Sequence, residues 1–118
     1  MEILLWVGKI LFGGYFVMSG IMHFMKMKDM KGYAQSKGLP MPGLSVAISG
    51  LMLLLGGVYI IFDFYFMVGG WLIVAFLVLS AFMMHNFWKA EGAAKMGEMV
   101  NFQKNLALAG AMLMIMFM

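Results

Sequence analysis

Polar positions along this chain are few and widely spaced. Lys9, Lys26, Lys37, Asp63, Lys89 and Lys104 divide it into long uncharged stretches. The two central stretches, 38–62 and 64–88, each run 25 residues without a charge, histidine counted neutral. A helix needs about 20 apolar residues to cross a hydrocarbon core about 30 Å thick, so either stretch is long enough. The pattern predicts four spans, at about 3–25, 43–62, 66–87 and 102–118. Pro42 stands just before the second, as suits a helix start. Asp63–Tyr65 leaves a tight turn between the second and third. The other two connections, 26–42 and 88–101, are longer. Barrel strands would need alternating polarity, which is absent, and lipid leaves the helix as the other way to satisfy the backbone. The expected fold is therefore all-α: an integral membrane four-helix bundle forming a single domain over residues 1–118.

Composition agrees with the pattern. The chain is 64% hydrophobic and 11% charged, against roughly 45–50% and about 25% in soluble domains. The first span is too long for a signal-peptide core and lacks a small-residue cleavage site, so it is expected to be retained. Cysteine is absent, which excludes disulfides, thiol relays and thiolate metal sites. All eight basic residues are lysines. Seven of them fall on the side of the two long connections and only Lys9 on the other. Lysine excess marks the cytoplasm, so both long loops are expected there and both termini outside. Such lysines report orientation, and no nucleic-acid partner is expected. Tyr33 and Trp88 are expected as interfacial anchors on the loop side, Trp6 and Tyr65 on the other. Small residues recur at packing intervals, among them Gly13 with Gly20 and Gly50 with Gly57, which lets membrane helices approach closely.

The intramembrane polar residues gather toward the loop side. Ser19 and His23 are four apart and share a helix face; Ser45 and Ser49 share another; His85 and Asn86 close the third span; Asn101, Lys104 and Asn105 open the fourth. Polar groups at this depth usually face a bundle interior or a wet cavity. One reading is an interhelical hydrogen-bond network that fixes the bundle. The other is a small cavity that holds a polar ligand head, with Ser19, His23, Ser49, His85, Lys104 and Asn105 as binding residues. An imidazole, with an unperturbed pKa near 6.5, could pass a proton there. Met25, Met27 and Met30 beside His23 would suit Cu(I), but neighbouring lysines repel a cation; the favoured reading is interfacial methionines on a short amphipathic helix, and no metal is expected.

The same residues carry a family resemblance. Residues 13–24 read G-x-x-F-x-x-S-G-x-x-H-F, and 33–40 read Y-A-Q-S-K-G-L-P. Ser49-Gly50 leads through a leucine-rich run into Gly56-Gly57, 85–88 read H-N-F-W, and 102–110 read F-Q-K-N-L-A-L-A-G. In that order the chain resembles the DoxX family of four-span bacterial membrane proteins. The resemblance implies a bacterial inner-membrane location. It also implies kinship with a membrane thiosulfate:quinone oxidoreductase and with partners of soluble redox enzymes, and it points to Ser19, His23, His85, Lys104 and Asn105. Two functions are expected as alternatives. The first is a redox-associated subunit that binds a quinone or similar lipid-soluble molecule. The second is a non-catalytic accessory or assembly subunit of a larger membrane complex. No haem-ligand pair, dinucleotide fingerprint or cysteine cluster is present, so no intrinsic cofactor is expected. An electron carrier would sit in a partner, and whether this chain catalyses a reaction stays open.

Overall fold

The computed structural model describes residues 2–118, and every regular element among them is helical. In chain order these are α1 (Glu2–Met25), α2 (Met27–Ser36), α3 (Pro42–Phe62), α4 (Phe66–Met84), a 3-10 turn (Phe87–Lys89) and α5 (Ala93–Met116). Three helical stretches are long and apolar enough to cross a membrane: Glu2–Met25, Pro42–Phe62 and Phe66–Lys89, the last counted through the 3-10 turn. At 1.5 Å per residue, the 21 residues of α3 reach about 32 Å. This is a membrane protein with transmembrane helices. Its five helices depart from a strict four-helix bundle.

Three boundaries differ from the sequence expectation. The connection 26–42 is not all loop, because α2 occupies most of it. The third span was expected to reach residue 87, but α4 stops at Met84. There the His85 N–H reaches back five residues to the Ser80 carbonyl at 3.2 Å, which breaks the α-helical ladder. The fourth helix was expected near 102 and instead starts at Ala93, after Gly92 turns the chain with φ 63°. Residues 93–100 are rich in Ala, Met, Lys and Glu, which favour helix whether or not lipid surrounds them. Lys95, Glu98 and Lys104 sit in the first half of α5, which is not among the three long apolar stretches.

The chain divides into two compact units, the first running to Ile73 and the second from Val74 to Met118, with the division inside α4. In the first unit α1 and α3 lie antiparallel and touch backbone to backbone. A Cβ on Gly13 would stand 2.9 Å from the Gly57 carbonyl oxygen, and one on Gly20 would stand 2.8 Å from that of Gly50. Both pairs are seven residues apart on each helix, so one glycine seam runs two turns. Gly56 faces the other way, where a Cβ would stand 3.1 Å from the Gly69 carbonyl oxygen of α4. Successive residues on a helix point about 100° apart, so Gly56 and Gly57 admit a neighbour on two sides of α3. Lipid gives no hydrophobic drive for this association, so close packing must supply the cohesion. Phe16 and Leu53 are fully buried beside the seam.

The turn after α3 holds Asp63 at φ 55° and Tyr65 at φ 46°, both left-handed. The Phe64 N–H donates to the Tyr59 carbonyl at 3.0 Å, and the rings of Phe64 and Tyr65 meet edge to face at 4.4 Å. α2 turns Met27, Met30 and Ala34 inward and packs on α3 and α1.

Candidate functional site

The candidate residues fall into two sets, one in each unit. In the first unit, Ser19 and His23 lie on α1 and Ser49 on α3. The His23 Nδ1 stands 2.7 Å from the Ser19 carbonyl oxygen, one helical turn back. The expected face-sharing is therefore a direct contact, made through the serine's backbone rather than its hydroxyl. With Nδ1–H donating, a neutral ring carries its lone pair on Nε2. His23 also packs against the seam: a Cβ on Gly50 would stand 2.9 Å from the His23 Cβ. Ser49, the residue before Gly50, donates its hydroxyl to the Val46 carbonyl at 3.0 Å. Ser45 donates to the Pro40 carbonyl at 2.8 Å and ties the loop to the start of α3. Both serines thus spend their donors on local backbone, a common fate of hydroxyls in membrane helices.

In the second unit, His85 lies just past the end of α4, and its Nδ1 stands 3.4 Å from the Glu98 carboxylate of α5. The two side chains are only 18% and 15% exposed. Asn105 is 5% exposed and donates its amide to the Ser80 hydroxyl at 3.4 Å. Lys104 is exposed; adjacent to Asn105 in sequence, it points about 100° away on the helix and so stands apart from that pair. Four aromatic rings, on α4, the 3-10 turn that follows His85, and α5, pack on one another. Phe102 meets Phe82, Phe87 and Trp88 edge to face at 5.1, 5.3 and 5.7 Å. Trp88 is half exposed.

Sequence reasoning missed Glu98, because residues 88–101 were expected to be loop. The signal was present. Asn101 and Asn105 share a face, and extending that face back by one turn reaches Glu98. Once α5 begins at Ala93, positions 98, 101, 102 and 105 form one stripe. Ser80 was missed because a lone hydroxyl in an apolar span carries no pattern. Among the described residues, no group of three histidine or carboxylate side chains converges as a metal site would. Met25 is exposed, while Met27 and Met30 are half buried on α2.

Chemically, the second set is the richer. It holds an imidazole and a carboxylate in contact, shielded from most solvent, beside apolar rings. Such a pair can hold a proton and exchange it with a bound group.

Comparison with known proteins bears on the whole chain. Residues 4–86 match the DoxX family model. The chain is similar to the inner membrane protein YphA of Escherichia coli (strain K12), with 28% identity over 113 residues, covering 96% of this chain and 81% of that protein. No solved structure matches.

Proposed function

The chain belongs to the DoxX family, and from that premise we propose that it binds a quinone or similar lipid-soluble ligand as a redox-associated subunit. In this reading it is a four-span bundle of the bacterial inner membrane, with the C-terminal half of α5 as the fourth crossing and the lysine-rich connections in the cytoplasm. The observation that carries the ligand reading is the contact between His85 and Glu98 beside Phe87, Trp88 and Phe102. A quinone head is a flat ring with two carbonyl oxygens. It needs apolar and aromatic walls for the ring and a proton source for each oxygen that becomes a hydroxyl. His85 donates a proton to one oxygen and the Glu98 carboxylate orients its ring; water at the membrane edge supplies the proton for the other oxygen and reprotonates His85. The electrons enter from a redox partner, because the chain has no cysteine and no cofactor fingerprint of its own. Asn105 and Lys104 of the same unit are further candidates for contact with the polar head, while Ser19, His23 and Ser49 form a separate set of candidate binding residues in the first unit.

The test is titration of the purified protein with decylubiquinone, read by quenching of tryptophan fluorescence. Saturable quenching is expected, reduced chiefly by Trp88→Phe. His85→Leu should weaken binding about tenfold, the scale of one hydrogen bond to a charged or polarised group. Absence of saturable quenching in the wild type would overturn the reading. The accessory-subunit alternative would then stand, and a stoichiometric partner recovered from mild detergent would support it.

A further inference from the structure

The connection between α1 and α3 folds into a helix with a cationic outer surface. Lys26, Lys28, Lys31 and Lys37 lie on or beside α2, with Asp29 the only acid among them. Lys26, Lys28 and Lys31 are exposed, while Met27, Met30 and Ala34 face inward. The position of α2 is constrained by its flanks. Lys26 alone separates it from α1, and the Lys26 N–H still donates to the Met22 carbonyl at 2.9 Å. Both α1 and α3 are apolar enough to span. A ten-residue helix tied between two such ends lies at the depth of the lipid headgroups.

Lys28 and Lys31 are three apart and share the outer face. The Lys31 stem rests on Gly43 at the start of α3, its Cδ and Cε 3.7 Å from where a Cβ would stand, so the side chain is partly held in place. Asp29 is one residue from Lys28 and two from Lys31, spacings that do not face each other on a helix. It therefore does not neutralise the pair. Orientation alone would require lysines in this connection but not their arrangement on one face of a helix packed against the spans. We propose that α2 is a binding surface for anionic phospholipid headgroups, with Lys28 and Lys31 holding the headgroup phosphate.

The experiment uses the full chain in mild detergent with pyrene-labelled lipids, the label on the acyl chain, read by energy transfer from tryptophan. Phosphatidylglycerol should bind about 25-fold more tightly than phosphatidylcholine, and the preference should vanish in 0.5 M salt, where the screening length falls to about 4 Å. A lysine near an anionic surface is worth about fivefold in affinity, so K28Q/K31Q should lose about 25-fold for phosphatidylglycerol and far less for phosphatidylcholine, whose choline offsets the phosphate charge. K28R/K31R should keep the preference, and K95Q/K104Q on α5 should leave it unchanged. Equal binding of the two lipids, or a preference that survives in K28Q/K31Q, would overturn the proposal. Competition by inorganic phosphate at millimolar concentration would also overturn it, since the site would then recognise free phosphate. If K28Q/K31Q does not fold, the salt dependence and the arginine variant decide the matter.

Discussion

Replacing Gly20 with alanine tests whether backbone contact between α1 and α3 holds the first unit together. The new Cβ would stand 2.7 Å from the Leu54 Cγ, 2.8 Å from the Gly50 carbonyl oxygen and 2.9 Å from the Leu54 nitrogen, whereas ordinary contact begins at 3.4 Å. The last two are backbone, so moving the Leu54 side chain aside would not clear the clash. The helices must part by about 0.6 Å, and a gap of that size forfeits a quarter to a half of each dispersion contact it opens. The loss spreads along the seam, because Gly13 and Gly57 lie two turns away on the same rigid pair. Overpacking of this kind costs about 1–3 kcal/mol. Alanine offsets up to about 1 kcal/mol through its better helix propensity. The net expectation is a destabilisation of about 1–2 kcal/mol. Gly14→Ala is the control, since nothing lies within 4 Å of its Cβ position; it should be neutral or slightly stabilising. Reversible unfolding of the purified protein in mixed micelles measures both. Equal stability of the two variants would refute the backbone-contact argument, since propensity affects them alike and only the seam distinguishes them.

Further outcomes follow from other parts of the chain. The protein has no cysteine, so single cysteines report topology cleanly: Gln35→Cys and Ala94→Cys should resist an impermeant maleimide in intact cells, while Phe64→Cys should react, and the reverse pattern would invert the orientation. Asn105→Leu should lower unfolding stability by about 0.6 kcal/mol, the usual scale for a hydrogen bond between membrane helices. Ser80→Ala should cost no more, and the double variant should not exceed the larger single effect, because both remove the same bond.

What could be read from the sequence reflects which constraints act locally. Hydrocarbon thickness acts on every spanning segment alone, so charge spacing placed α1, α3 and the body of α4 within a few residues. The turn at Asp63–Tyr65 was legible because it lies between two such segments. The glycines at 13, 20, 50 and 57 were visible as small residues, but their pairing was not, since it depends on α1 and α3 meeting antiparallel. The connections were the weak point. A short amphipathic helix was legible at Met27 and Met30, but a charge-based reading of span ends could not bound it. The same bias set the start of α5 too late and hid Glu98. Residues outside the hydrocarbon are not required to be apolar, so the pattern that identified the spans was silent on the helices beyond them. Ser19, His23 and Ser49 were found by depth and face, but that reading could not say that His23 reaches the Ser19 backbone or that the Ser49 hydroxyl bonds within its own helix.

The contact between His85 and Glu98 carries the functional reading, and a double-mutant cycle decides whether the two act together. Glu98→Gln keeps the shape and removes the charge; His85→Gln removes the imidazole. Exposed ion pairs contribute about 0–1 kcal/mol, and breaking a fully buried one costs about 3–5 kcal/mol. This pair is mostly shielded, with side chains 18% and 15% exposed, but at 3.4 Å it is at the long end of a hydrogen bond. A coupling of about 1 kcal/mol in unfolding stability is therefore expected, measured as the departure of the double variant from additivity. The same cycle run on decylubiquinone affinity separates a structural pair from a working one. A bond that only fastens α5 near the end of α4 would show coupling in stability and additive effects on binding. A carboxylate that orients the imidazole toward a ligand should show coupling in both, because once His85 is gone the removal of Glu98 has little left to disturb. Additivity in binding within about 0.3–0.5 kcal/mol would remove Glu98 from the ligand site and leave His85 to be judged by its own substitution.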